Sequence, residues 1–310
     1  MEVIPMKQRV WSSVVTLAVL ALAGCGKSTS PLQSAVDNGA PAGSDQAQVS
    51  TVVQNSPQYV NEDVWQSSSA QVLDGAGGFA AIRPLRFWRD ITSETRTTDT
   101  QFGAPDSTGR PTLALVTVHR HFLGTFDIVA GSTNPMDTTR TLVKKPLDDD
   151  WTRKLVLVRV PGPAIAGFDG WRLAGTSGVD VHTRGGSTHI VSLRIQSGLL
   201  DTTITDPLEL HRLRRIELLE PGTEVTLTAT TGNPADVVLY YGYDMRRRFL
   251  SHGDGTFTFQ FTTGRFPGLR YFGVDALSNG TLFDDQAAYD SNAWVLPFAV
   301  ALQRMPADTP

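Results

Sequence analysis

The chain has a single cysteine among its 310 residues, so no disulfide can form within it and its stability must come from buried cores. It has no long block of basic residues, and its formal net charge is −4, which argues against a nucleic-acid partner. It has one compact apolar run, Val14 to Ala21, which is shorter than the roughly 20 residues a membrane-spanning helix needs. No second run approaches that length. Catalytic signatures are scarce as well. No Gly-x-Ser-x-Gly elbow is present, and neither Asp148-Asp149-Asp150 nor Asp284-Asp285 with Asp290 has the Asp-x-Asp-x-Asp-Gly spacing of a Ca²⁺ loop. Both acidic runs read as solvated turns. Ala21 with Gly26-Lys27-Ser28 fits a relaxed phosphate-loop pattern, but the following Thr29-Ser30-Pro31 is a poor helix start, so no nucleotide is expected. These absences leave an expectation of no catalytic residue, no metal and no cofactor.

The first 24 residues do carry a signal. Lys7 and Arg9 form a short basic region, and Val14 to Ala21 has the length and flanks of a secretory leader, with Met6 the better start. Leu22-Ala23-Gly24-Cys25 resembles the lipobox of bacterial lipoproteins. The resemblance implies cleavage before Cys25, a diacyl lipid on it, and a protein held in the bacterial cell envelope on the outer-membrane, periplasmic or surface side. Residues 25–58 are rich in Ser, Ala, Gly, Gln, Asp and Pro and read as a flexible tether.

Downstream, the fold class reads as mainly β: an α+β or β domain over 59–200, a connector over 201–215, an antiparallel sandwich over 216–304 and a tail over 305–310. Phe79 to Ile91 is the best helix candidate, because Pro84 suits a first turn and Leu85, Trp88 and Ile91 then share a face. Long β-branched runs follow at 113–126, 151–160, 170–183 and 188–195. Trp151-Thr152-Arg153-Lys154 followed by Asp169-Gly170-Trp171-Arg172-Leu173 resembles the strand pair of the NTF2-like cone fold, with a plain β-sandwich as the competing reading. From Glu224 onward, strands recur every 8–12 residues between Gly, Pro and Asn turns, with Phe257, Phe259 and Phe261 on one face. Gly253-Asp254-Gly255-Thr256-Phe257 and Pro267-Gly268-Leu269-x-Tyr271 resemble the later strands of bacterial immunoglobulin-like domains. That resemblance implies a fold and almost nothing about function.

His119 and His121 alternate in a strand and share one face, as metal ligands would, with Asp180 or His182 the only evident third donors. Solvated strand residues are the simpler reading. If the first domain is a cone, its interior is a ligand pocket and His119, His121, Arg153 and Trp171 are its candidate lining. Arg246-Arg247-Arg248 reads as solvated edge-strand charge. The expected function is a non-catalytic binding or structural module at the envelope, working through protein or glycan contacts. The alternative is a small-molecule-binding or enzymatic cone, favoured by a deep pocket and excluded by a side-chain-filled interior.

Overall fold

The computed structural model describes residues 45–60, 81–132, 134, 136–160, 170–198, 200–213, 216, 218–242 and 246–301. Cys25, the leader around it and most of the expected tether lie outside these residues. Two short helices, α1 (Asp45–Gln54) and α2 (Pro57–Val60), come first. Four long strands follow: β1 (Arg83–Phe102), β2 (Leu113–Gly131), β3 (Arg140–Arg159) and β4 (Trp171–Thr183). Then come β5 (Ile190–Ser197), β6 (Leu200–Ile204), β7 (His211–Arg212), β8 (Leu218–Leu219), β9 (Glu224–Thr231), β10 (Val237–Tyr241), β11 (Arg246–Arg248), β12 (Leu250–Ser251), β13 (Thr256–Thr262) and β14 (Gly268–Leu277). The helix α3 (Asn279–Phe283) and the strand β15 (Ser291–Val300) complete the series.

The architecture is mainly β, as expected, and almost wholly antiparallel. One sheet runs β1-β2-β3-β4-β15-β14-β10-β11, with β7 on β4 and β8 alongside β15. The second runs β12-β13-β9-β5-β6. The first sheet bends round until its two edge strands meet. Arg246 on β11 donates to the Phe87 carbonyl on β1 (3.3 Å) and sits over the Phe87 ring, 4.9 Å from its centre.

Alternation decides which side chains the curl encloses. On β2 the inward set is Ala114, Val116, Val118, Arg120 and Phe122, and on β3 it is Leu147, Asp149, Trp151, Arg153, Leu155 and Leu157. Strands β10, β14 and β15 are covered on both sides. Leu239, Tyr241, Leu277, Ala293 and Val295 face the curl, whereas Val238, Tyr240, Phe272, Val274, Trp294 and Leu296 pack against the five-stranded sheet. Hence these three strands read as nearly unbroken apolar runs, the pattern of strands buried on both faces. The second core is largely aromatic. Tyr240 lies 4.6 Å from Phe259 and 5.1 Å from Phe261, so the Phe257, Phe259, Phe261 alternation does point inward.

Several expectations need correcting. The helix expected over Phe79 to Ile91 is not formed in its described part: from Arg83 onward the chain is β1, whose buried side chains Phe87 and Arg89 are two apart. The segment assigned to the tether contains α1, which buries Val49, Val52 and Val53 at helical spacing against the curled sheet. The acidic triplet is not a turn: Asp148, Asp149 and Asp150 lie within β3, and the middle one is fully buried. Arg246 is buried rather than solvated, while Arg247 and Arg248 are exposed. Finally, the strands pair across the boundary drawn at 201–215. The β4 strand joins β15 and β5 joins β9, so the described residues belong to one compact unit.

Candidate binding groove

Strand register separates the expected pocket residues into two sets on opposite faces. Val118 stands opposite Arg153 and His119 opposite Thr152, so Arg153 shares the inner face with Val118, and the two histidines point outward. Inside, Arg153 and Trp171 are fully buried. The Arg153 guanidinium donates to the Tyr59 carbonyl (2.6 Å) and lies over the rings of Trp151 and Tyr271. The Trp171 ring is covered by Arg159, and its Nε1 donates to the Asp45 carboxylate at the start of α1 (3.3 Å). Phe87, Phe122, Phe126 and Trp151 are fully buried in the same core cluster as Trp171. The expectation that His119, His121, Arg153 and Trp171 line one cavity is therefore corrected. The inner pair is core.

The interior also contains charge. Arg89 and Asp275 form a fully buried ion pair at 2.8 Å. Around it Arg89 Nε donates to Tyr289 (2.9 Å), Tyr241 donates to Asp275 (2.8 Å), and Tyr289 and Thr183 donate to Asp149 (2.8 and 2.9 Å). Burial alone would lower the Arg89 guanidinium, but Asp275 and the other anionic neighbours hold it well above its ordinary value. Burial pushes the Asp149 carboxyl up to about 6, against the pull of Arg89 and of the two hydroxyls. Buried ions of this kind persist because their charges are paired and hydrogen-bonded, here through Asp275 Oδ2, while Oδ1 is buried with no hydrogen-bond partner among the described residues.

On the outer face two rows cross the sheet. His121, Asp150, His182 and Asn292 occupy successive strands β2, β3, β4 and β15, and His119, Thr152, Asp180 and Trp294 form the adjacent row. His121 Nδ1 is 3.0 Å from Asp150, which also accepts from Arg184 (2.9 Å), and His119 Nδ1 is 3.2 Å from the Thr152 hydroxyl. Burial works to raise Asp150, and the Arg184 and His121 contacts outweigh it, leaving the carboxyl below its ordinary value. These pairs occupy the histidines with neighbours on their own face. Among the described residues, no group of three or more His, Cys, Asp or Glu is placed to hold a metal ion.

Where the second row reaches β15, the outer face of the curled sheet meets the five-stranded sheet. A groove of about 450 Å³ opens there, lined among others by Asp180, His182, Ser187, His189, Asp206 and Trp294. Each wall is held by short polar contacts. Asp180 accepts from Asn292 Nδ2 (2.9 Å) on one oxygen and faces His182 Nδ1 (3.1 Å) with the other. That hydrogen bond raises the His182 imidazole above its ordinary value, against the effect of partial burial. The same Asn292 accepts from the Ile190 amide (2.8 Å) and so ties the two sheets together. The loop 184–189 turns through Gly185 at φ +74°, which a residue with a Cβ adopts only under strain. It is then pinned by the Asp290 carboxylate, which accepts from the Ser187 amide and hydroxyl and from the Thr188 amide. Trp294, only 3% exposed, supplies an apolar flank.

Of these residues the sequence singled out only Asp180 and His182. Asn292 and Trp294 were visible as Asn-x-Trp in an otherwise aliphatic strand, and Asp206-Pro207 as a turn. Their meeting depends on β4 pairing with the distant β15, which no local pattern encodes. A scan against protein-family models and searches of curated proteins and of solved structures give no match. Among the described residues no helix is long and apolar enough to cross a membrane, which leaves strands out of account.

Proposed function

We propose that this protein is an envelope-tethered, non-catalytic recognition module that takes a neutral glycan in the groove between its two sheets. One observation carries the reading: the Asp180 carboxylate, fixed between Asn292 and His182 beside Trp294. Sugars are bound where a few prepositioned polar groups meet ring hydroxyls in a cleft, and the groups open to do so here are Asp180 and the half-exposed His182, whereas Trp294 and Asn292 are buried and serve to fix them. Prepositioned groups of this kind lower the ordering cost of binding. The filled interior removes support from the competing cone with an internal pocket, because its proposed lining is either packed in the core or turned outward.

The tether rests on the likeness of Leu22-Ala23-Gly24-Cys25 to a lipobox. Two acyl chains there would act as the membrane contact, each buried methylene contributing about 0.8 kcal/mol. We further read the sandwich half as immunoglobulin-like, on its antiparallel order and its Phe257-x-Phe259-x-Phe261 strand facing Tyr240.

Two measurements test the reading. Titration of the Cys25→Ser protein with N-acetylglucosamine oligomers should shift the NMR signals of residues 180–190 and 292–294, and Asp180→Ala should weaken binding by about tenfold, the worth of one such hydrogen-bonded carboxylate. Unchanged groove signals at saturating sugar, or equal binding by the variant, would reject the glycan site. Separately, the unaltered protein should fractionate with membranes and carry lipid, and a Cys25→Ser variant that stays there would reject the tether.

A further inference from the structure

The antiparallel order brings a particular set of strand ends to one end of the curled sheet. There β1 ends at Phe102, β2 begins at Leu113, β3 ends at Arg159, β4 begins at Trp171, β14 begins at Gly268 and β15 ends at Val300. Asp45, the first described residue, lies at this same end. Its carboxylate is held by Arg159 and by Trp171 Nε1, and the next residue, Gln46, donates to Thr100 on β1 (3.2 Å). Cys25 precedes Asp45 by 20 residues in the chain.

Apolar side chains stand in the open at this end. Phe266, between β13 and β14, is 78% exposed. Phe102 is 38% exposed and touches the Trp171 ring from outside (5.8 Å). Leu113 is beside it, its carbonyl accepting from the Gly103 amide (2.9 Å), and Leu218 on β8 is exposed alongside Ala299. Among the described residues Phe102 and Phe266 are the exposed phenylalanines, and both are here. Exposed apolar groups that no core accounts for mark protein or membrane contacts when polar residues rim them. The rim is of mixed charge, with exposed Arg172, Arg265 and Arg270 alongside Asp106, Glu220 and Glu224. Equal numbers of both signs suit neutral, zwitterionic headgroups better than a partner of one charge. A rival apolar tip exists at the opposite end, where Met136 stands between β2 and β3.

We propose that the Asp45 end of the folded part rests on the lipid surface, with Phe266 and Phe102 entering the interfacial layer. The inference rests on the tether reading of Cys25, which chooses between the two ends. On that reading a chain of 20 residues rich in Ser, Ala and Gly has a root-mean-square span of about 25 Å. The end bearing Asp45 therefore meets the bilayer far more often than the end bearing Met136. Phenylalanine and leucine side chains are suited to the boundary between headgroups and acyl chains, and such a contact adds to the hold of an acyl anchor. The arrangement also serves the groove. His182 and Asn292 lie near the opposite ends of β4 and β15, so the groove is held away from the bilayer and open to its ligand.

The test places one thiol at each apolar tip. The full chain carrying Cys25→Ser receives either Phe266→Cys or Met136→Cys, each then labelled with a polarity-sensitive nitrobenzoxadiazole dye. Both positions are exposed, so neither substitution disturbs the core. With phosphatidylcholine vesicles in excess, the dye at Phe266→Cys should shift its emission to the blue, and its quenching by aqueous iodide should fall severalfold. The dye at Met136→Cys should change in neither respect. The same two variants made with Cys25 intact and lipidated, which leaves the added thiol as the reactive one, should show the same contrast once reconstituted into these vesicles. Shielding at Phe266→Cys in either protein, with Met136→Cys still open, supports the proposal. A Phe266→Cys label that stays quenchable in both proteins would overturn it, as would equal shielding of the two labels. A chain found without lipid on Cys25 would reject the tether reading alone, and the Cys25→Ser protein would then decide the orientation.

Discussion

Asp149 offers a clean test of how this protein tolerates charge in its interior. Its carboxyl is fully buried and pushed up to about 6, from an ordinary value of 3.8, despite accepting from Tyr289 and Thr183 and facing Arg89. A raised carboxyl means that the folded state binds the proton more tightly than the unfolded chain does. Below 3.8 the group is neutral in both states and costs nothing. Between 3.8 and 6 it is neutral when folded and ionised when unfolded, so its contribution becomes less favourable as pH rises. Above 6 the full cost is in place. A separation of roughly two pH units is worth about 3 kcal/mol at about 1.4 kcal/mol per unit. Asp149→Asn removes the titration and nearly keeps the shape. Urea unfolding of both proteins across this range gives the difference in unfolding free energy, variant minus wild type. That difference should rise by about 2.4 kcal/mol from pH 4 to pH 7.5, with most of the change between 4 and 6. Any fixed penalty for placing an amide among the hydroxyls moves the curve up or down without altering its slope, and the exposed carboxylates common to both proteins cancel. A flat difference would refute the reasoning. A difference that falls with pH would show that the Arg89 attraction outweighs burial and that Asp149 is a stabilising anion.

Two further substitutions probe how the curled sheet is held. Lys145, 3% exposed, donates to the carbonyls of Gly280, Asp284 and Ala287 at 2.5–2.9 Å and so anchors the end of α3 and the loop after it. Lys145→Met fills the same space but leaves three carbonyls without their donor, and should cost about 3 kcal/mol in a denaturant melt; a loss below 1 kcal/mol would mean that water replaces the ammonium. Gly124 stands opposite Ile91 where β1 shifts register, and a Cβ there would lie 2.1 Å from the Asp90 carbonyl oxygen. Gly124→Ala should therefore cost about 2–3 kcal/mol and raise hydrogen exchange along β1, whereas an unchanged melt would show that the edge strand moves aside freely.

The parts of this molecule that were legible in the sequence are those governed by period two. The strands at 113–126 and 170–183, the inward face of Val116, Val118 and Phe122, and the aromatic alternation from Phe257 to Phe261 all follow from residues near one another in the chain. Failures came where a long-range partner outweighed local pattern. Leu85, Trp88 and Ile91 fit a helical face by spacing, yet pairing with β2 over its whole length makes the segment a strand. Asp149 looked like part of a solvated triplet because nothing local announces Arg89, Thr183 and Tyr289, which arrive from β1, from β4 and from the segment between α3 and β15. The candidate pocket failed for a similar reason. His119 and Arg153 sit on paired strands one register step apart, and that step puts them on opposite faces. The groove could not be drawn from the sequence because Asp180 and Asn292 lie 112 residues apart.

The three strands buried on both faces also bear on the order of events in folding. Strands β1 to β4 have no far wall for their core until β10, β14 and β15 are present, and the five-stranded sheet has nothing to pack against until the same three strands arrive. The partnership of β4 with β15 closes a loop of more than a hundred residues. Contacts that distant in sequence make for slow, all-or-none assembly. A chain emerging from the ribosome would therefore gain little lasting tertiary structure before residue 300 is made, and the polypeptide would stay threadable for nearly the whole of its synthesis.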